Sequence, residues 1–279
     1  MPTACDISKA RWHRYALDVV GGKVVACKQV IQTCQRYLDD LNDDRFELRI
    51  DRIAHAVRFI GILKHFKGAA NNQPFILEDW QLLIVACICG FYWRGTNRRR
   101  FNEAYISIGR KNGKTALFAA LMIYFLIADG EPSAEVLISA NSREQATRID
   151  FQMVKGFIQK LDPRAKTVKA QRNQVKVAKT TNMMYVTAAD ASKLDGYNIS
   201  ACLVDEYHEA DTSAVKDVLK TAMGNRRNPI QCVVTTRGFD MSKPCFALDA
   251  YAQQVLSGEK KDDTLFAMIF TLDDGDDWR

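Results

Sequence analysis

The chain has 279 residues, and none of its apolar runs approaches the length of a membrane span, which argues against a membrane-crossing helix. Its first residues, Met1-Pro2-Thr3-Ala4-Cys5-Asp6, lack the basic-then-apolar layout of a secretory leader, so none is expected. Internal repeats and low-complexity tracts are absent. Paired metal-ligand spacing is missing as well. Cys87-Ile88-Cys89 has the wrong gap for a zinc knuckle and no partner pair. His208 has no second histidine or cysteine at ligand spacing and is expected at the surface, near Glu206. The eight cysteines (5, 27, 34, 87, 89, 202, 232, 245) are scattered, mostly in apolar runs, and read as reduced core thiols of a cytoplasmic protein. What is present is ordinary for a soluble globular chain: 47% hydrophobic and 26% charged residues, enough for one large core or a core with a small accessory domain. A net charge of +6 permits a polyanionic partner without requiring one.

Two kinds of pattern divide the chain. From about Ser8 to Gly68 the residues read as helices. Ile53, Val57, Ile60, Leu63 and Phe66 recur at helical spacing, and the amphipathic helix they define is expected to end at Gly68. Residues 68–74 form a loop, and Leu77 to Phe91 is apolar enough for another helix. Beyond Glu103, strands alternate with helices. The strand-like runs are Ala104–Ile108, Val136–Ala140, Met184–Thr187, Cys202–Asp205 and Gln231–Thr235. The helix-like runs are Lys114–Ala128, Arg143–Leu161, Ser213–Met223 and Cys245–Leu256. This alternation predicts an α/β fold with a mainly parallel sheet flanked by helices. Gln174–Ala178 alternates with period two and is expected to pair with Thr167–Ala170 as an edge hairpin.

The most informative stretch is Gly109-Arg110-Lys111-Asn112-Gly113-Lys114-Thr115, set between a strand-like and a helix-like run. That context suits a P-loop, whose backbone N–H groups and helix N-terminus cradle a polyphosphate. Lys114 is expected at the β/γ-phosphates and the Thr115 hydroxyl on Mg²⁺. Ile108 stands where the usual pattern begins with glycine. Arg110 and Lys111 are candidates for phosphate or neighbouring-subunit contact. About ninety residues on, Ala201-Cys202-Leu203-Val204 runs into Asp205 and Glu206. Asp205 is expected to hold the Mg²⁺ water shell and Glu206 to polarise the attacking water, which favours ATP hydrolysis. Lys114 and Asp205 are expected at the carboxyl ends of neighbouring strands. Gln81 has an amide that can both donate to and accept from an adenine edge. Thr235 and Thr236 end the next apolar strand, where a γ-phosphate could be sensed. Arg226 is the first candidate for an arginine finger acting between subunits, with Arg143 and Lys193 as rivals. Arg98-Arg99-Arg100 reads as a solvated loop before it reads as a DNA-phosphate patch.

Taken in order, Pro74-Phe75…Trp80-Gln81, Gly109–Thr115, Leu194-Asp195-Gly196, Asp205-Glu206 and Thr235-Thr236 resemble the large terminase subunit of tailed bacteriophages, over about Gln73 to Thr271. Arg237 stands where that family commonly has a small residue. The resemblance implies a P-loop ATPase domain over residues 69–271, preceded by a helical segment or lid over 1–68 and followed at 272–279 by the start of a linker. It implies ATP and Mg²⁺ as cofactors, double-stranded DNA as partner, and a homo-oligomeric ring working with portal protein and small terminase subunit in the infected host's cytoplasm. The C-terminal nuclease of that family is not expected here, because the chain stops where it should start. Two rival readings stay open: a helicase-like translocase, and a nucleotide-dependent assembly module that does not cycle.

Overall fold

Short apolar runs rich in branched side chains become the strands of one sheet in the computed structural model, which describes residues 7–68, 70–140, 151–188, 196–236, 240–273 and 275–276. In chain order the elements begin with α1 (Arg11–Val20), α2 (Lys28–Asp40), β1 (Phe46–Leu48), α3 (Ile50–Ile62), α4 (Asp79–Gly90) and β2 (Phe91–Trp93). There follow β3 (Glu103–Ser107), α5 (Lys114–Ile127), β4 (Glu135–Ala140), α6 (Phe151–Leu161), β5 (Val168–Ala170), β6 (Gln174–Val177) and β7 (Met183–Ala188). The last are β8 (Ala201–Asp205), α7 (Ala214–Ala222), β9 (Ile230–Thr235), α8 (Pro244–Leu256) and β10 (Leu265–Ile269).

The main sheet has eight strands in the order β10-β3-β9-β8-β4-β7-β6-β5. From β10 to β7 all pairings are parallel; β6 and β5 join antiparallel at one edge, as their alternating sequence predicts. Every residue of β3, β8, β9 and β10 is buried, as expected of parallel strands covered on both faces. β10 was not evident from sequence, because a five-residue apolar run is equally consistent with a buried helix segment.

The strand order corrects one expectation. β3, which leads to Lys114, and β8, which ends at Asp205, are not neighbours; β9 lies between them. Their ends stay level, since Ser107 is the register partner of Thr235 and Val234 that of Asp205. Two strand spacings separate β3 from β8, about 10 Å, a gap a long lysine side chain can span.

The helices before residue 68 pack at the side of the sheet and share its core. One apolar cluster contains Ala16, Val30, Tyr37 and Ile60 together with Leu83, Phe118 and Ile138. Thr33 Oγ1 donates to the Ala267 carbonyl at 3.0 Å and Arg36 Nη1 to the Leu265 carbonyl at 2.9 Å, tying α2 to β10. β1 pairs antiparallel with β2, Phe46 opposite Trp93. The core therefore shows no seam at the expected boundary. α3 also ends earlier than its periodicity suggests. Leu63 turns extended, and residues 63–75 fold back on themselves through Phe75 N to Leu63 O at 2.8 Å and His65 N to Gln73 O at 2.9 Å.

Of Arg98–Arg100 only Arg98 is solvated. The Arg99 and Arg100 side chains are only 2% and 1% exposed, and they pair with Asp129 at 2.7 Å and Asp40 at 2.5 Å. The Arg100 guanidinium also lies 3.6 Å from the Phe46 ring centre. Among the described cysteines all are free, and all but the half-buried Cys27 are buried; burial pushes the Cys34 and Cys89 thiols up to about 12. No helix among the described residues is long and apolar enough to cross a membrane.

Candidate nucleotide site

The site is assembled where β3, β9 and β8 end together. Ile108 continues β3 by one residue: its side chain is 4% exposed and its N–H donates to the Thr235 carbonyl at 3.0 Å. That packing accounts for isoleucine where the common pattern has glycine. The chain then turns outward through exposed Gly109–Gly113. Lys111 and Gly113 take left-handed backbone angles, φ 68° and φ 74°, and the glycine at the second bears them without a Cβ clash. Asn112 Nδ2 donates to the Gly109 and Arg110 carbonyls at 3.1 and 3.3 Å, bracing the loop from within. Arg110 and Lys111 point from its exposed rim. α5 starts at Lys114, with Thr115 half-buried in its first turn.

Lys114 is 6% exposed, and its Nζ sits 3.1 Å from Asp205 Oδ1 and 2.8 Å from Glu206 Oε1. Burial alone would lower its pKa, but Asp205 and then Glu206 carry it above the ordinary lysine value. Asp205 is 3% exposed and also accepts the Glu206 N–H at 2.8 Å. Glu206 stands at φ 53°, ψ 42°, left-handed and therefore strained for a residue with a side chain. This turn places two consecutive carboxylates on the same ammonium group.

His208 lies beside Glu206, as its place in the sequence suggested, but it is half-buried and not at the surface. Its Nδ1 lies 3.3 Å from Glu206 Oε2 and 3.1 Å from Thr235 Oγ1, and its N–H donates to the same hydroxyl at 3.0 Å. Thr236 Oγ1 is 3.3 Å from His208 Nδ1. The ring thus joins the end of β8 to the end of β9. The cue for it in the sequence was its place two residues after the acidic pair.

Gln81 is buried, not on a helix surface. Its Oε1 accepts the Glu78 N–H at 3.0 Å in a capping box, while its Nε2 lies 3.5 Å from where a Cβ on Gly113 would stand. It therefore borders the P-loop with its donor side.

Arg226 is not brought to the site. Its Nε donates to the Asn198 carbonyl at 2.8 Å, and its Nη atoms to those of Pro132 and Ser133 at 3.0 and 2.8 Å. These residues precede β8 and β4, at the amino edge of the sheet. With its side chain 8% exposed and paired with Glu131 at 3.4 Å, the guanidinium is committed within its own chain, which argues against its use as a finger on a neighbour. The rivals Arg143 and Lys193, like Leu194-Asp195 and Arg237-Gly238, lie outside the described residues.

The donors available for a metal are hard oxygens, Thr115 and Asp205. No group of three or more histidine, cysteine or acidic side chains among the described residues could hold one without a substrate. That fits Mg²⁺, which is commonly held by one or two protein oxygens, substrate phosphates and water.

Comparison with known proteins identifies the family. The profile of the family described as terminase large subunit, ATPase domain, matches residues 79–254. The large terminase of bacteriophage HK97 superposes in its crystal structure with a TM-score of 0.65 at 19% identity, over 81% of this chain and 45% of that one. The terminase large subunit of Lactococcus phage SK1 is 22% identical over 223 residues, 77% of this chain and 41% of that protein. Protein YmfN of Escherichia coli K12 is 39% identical over 84 residues, 30% of this chain and 18% of that protein. The chain spans less than half the length of each of these relatives. Its fold, its motif order and the profile that covers most of its sheet place it in one family: the chain belongs to the terminase large-subunit ATPase domains.

Proposed function

We propose that the chain binds ATP at Gly109–Thr115 and hydrolyses it to drive double-stranded DNA into a procapsid, as one subunit of a ring. The observation that carries this is the convergence of Asp205 and Glu206 on Lys114 at the carboxyl edge, at 3.1 and 2.8 Å from its Nζ. A lysine held by two carboxylates exchanges them for the β/γ-phosphates when a nucleotide enters. That exchange releases Asp205 and Glu206 together. Asp205 and Thr115 would then hold Mg²⁺, which supplies charge neutralisation at the phosphates. Glu206 positions the attacking water and takes up its proton. His208 stands between the other Glu206 oxygen, 3.3 Å away, and Thr235, its partner at 3.1 Å, so the state of the phosphate is felt on β9. Gln81 offers its Nε2 towards the base, and Arg110 and Lys111 reach phosphate or a neighbouring subunit. Residues 272–279 are read as the start of a linker, residues 1–68 as a helical flank of the 69–271 ATPase unit, and portal protein and small terminase subunit as further partners.

A base at Glu206 favours hydrolysis over a non-cycling assembly role, and the family membership favours DNA packaging over a helicase-like role. The test compares two variants in ATP binding and phosphate release. Lys114→Ala should lose tight ATP binding. Glu206→Gln should keep ATP bound and release phosphate about 10²-fold or more slowly. Hydrolysis by Glu206→Gln at the parent rate would overturn the assignment.

A further inference from the structure

A second opening lies at the amino edge of the sheet, with a volume of about 690 Å³. Asn102, Pro229 and Thr264 line it, each the residue immediately before β3, β9 or β10. Because these strands are parallel, this edge faces away from Lys114 and Asp205. Strands of five residues at about 3.3 Å per residue put roughly 15 Å between the two edges. The opening is therefore not part of the nucleotide site.

Its lining is one-signed. Arg98, Arg99, Arg100, Lys220, Arg226 and Arg227 contribute to it, and no aspartate or glutamate does. The acids that hold the inner cations stand behind them: Asp129 on Arg99 at 2.7 Å, Glu103 on Lys220 at 2.5 Å and Glu131 on Arg226 at 3.4 Å. Ion pairs of this kind fix the direction of a guanidinium before any ligand arrives, which lowers the ordering cost of binding. Two cations remain uncommitted: Arg98 and Arg227 are exposed and form no ion pair among the described residues. One inner donor is also unused. Arg99 Nε is buried and has no hydrogen-bond acceptor among the described residues. A buried donor left without an acceptor is costly, and native structures seldom keep one without reason. Trp93, Met223 and Pro229 supply an apolar wall beside the cations.

We propose that this cavity binds a phosphate group carried on a nucleotide or a nucleic-acid strand. Arg98 and Arg227 capture the phosphate at the mouth, and the pre-set Arg99 guanidinium faces it from the base. A phosphate presents its oxygens tetrahedrally and so satisfies guanidinium donors from several directions at once, which a planar carboxylate does not, and a terminal phosphate adds a second negative charge. The apolar wall suits an attached sugar or base better than it suits an acidic peptide. Arg226, committed to carbonyls and Glu131, acts here as a positioning residue.

The experiment is titration calorimetry on the whole chain with three probes: inorganic tripolyphosphate, a short single-stranded oligonucleotide and poly-glutamate. The native chain is compared with Arg98→Glu/Arg227→Glu, two exposed positions whose reversal should leave the melting temperature unchanged. Should that variant fold poorly, Arg98→Gln/Arg227→Gln replaces it. Native protein should show two classes of tripolyphosphate site. The paired arginine variant should lose one class, weakened at least about tenfold with two charge-assisted contacts gone. Lys114→Ala should lose the other class, so failure at one edge is separable from failure at the other. Loss for both phosphate probes supports a phosphate site open to either source; loss for the oligonucleotide alone assigns it to a strand, and for tripolyphosphate alone to a free nucleotide. Unchanged phosphate binding in both arginine variants, or tighter binding of poly-glutamate than of either phosphate probe, overturns the proposal.

Discussion

Truncating Lys114 should weaken the folded state as well as nucleotide binding, and the structure sets the size of the effect. Lys114→Ala leaves Asp205, 3% exposed, without its cation. Breaking a buried pair from one side typically costs about 3–5 kcal/mol, because the remaining charge stays desolvated. Two features place this case at the lower end. The Glu206 side chain is 23% exposed and can turn to water, and Asp205 keeps the Glu206 N–H. The expected loss is about 3 kcal/mol, or a fall in melting temperature of roughly 6 °C for a chain of this size. The assay is urea unfolding of the nucleotide-free protein in a double-mutant cycle with Asp205→Asn. Neutralising Asp205 removes the stranded charge, so the double variant should be more stable than additivity predicts by about 2 kcal/mol. The pH dependence has a definite sign. Burial lowers the Lys114 pKa, but Asp205 and Glu206 raise it above the ordinary 10.5. The stabilisation should thus be fully present below about pH 10 and disappear only as pH rises past the raised value. Additivity within about 0.5 kcal/mol would show that the two groups do not interact in solution. So would a difference from parent that vanished near neutral pH.

Three further outcomes follow from the same geometry. Glu206→Gly should slow phosphate release about 10²-fold or more while changing the melting temperature little, since glycine relieves roughly 1 kcal/mol of left-handed strain that offsets the lost ion pair; a drop of several kcal/mol in urea unfolding would contradict the strained turn. His208→Ala should lower kcat about five- to tenfold, the worth of one hydrogen bond, with ATP affinity by fluorescence titration unchanged; an equal loss in affinity would make it a binding residue instead. Arg226→Ala should cost about 1 kcal/mol by removing its pair with Glu131 and its hydrogen bonds to the Asn198, Pro132 and Ser133 carbonyls, and mixing it with Glu206→Gln subunits should restore no hydrolysis; recovery in that mixture would return Arg226 to a neighbour's phosphate.

The parts of the site that sequence made legible are those that are local in the chain. Gly109–Thr115 announces itself through one loop, and Asp205-Glu206 through one strand end. The edge hairpin of β5 and β6 was legible because alternation is a property of a few consecutive residues. What escaped depends on which distant segments meet. No local signal ranks β9 between β3 and β8, because all three are equally apolar runs. Arg99 and Arg100 read as surface charge because their partners, Asp129 and Asp40, are remote in sequence. Arg226 sits in a loop beside the β9 strand, and only the fold shows that its guanidinium turns to the amino edge. The place of His208 beside Glu206 was legible from its position in the chain, but its hydroxyl partners on β9 were not, because Thr235 and Thr236 are remote in sequence. The end of α3 at Ile62 was missed because Leu63 is buried in the helix-like register while its backbone is already extended.

The helix that follows the P-loop has a mechanical consequence. From Leu117 to Leu126 every side chain of α5 is 3% exposed or less, so the helix has no free face. Sliding or rotating it would require close-packed neighbours on all sides to move in concert. Lys114 and the phosphate loop are therefore bolted to the frame of the sheet. Among the described residues at this edge, the parts free to shift are the exposed 109–113 loop and the strained turn at Glu206. Any movement that accompanies nucleotide exchange would have to pass through them and not through α5.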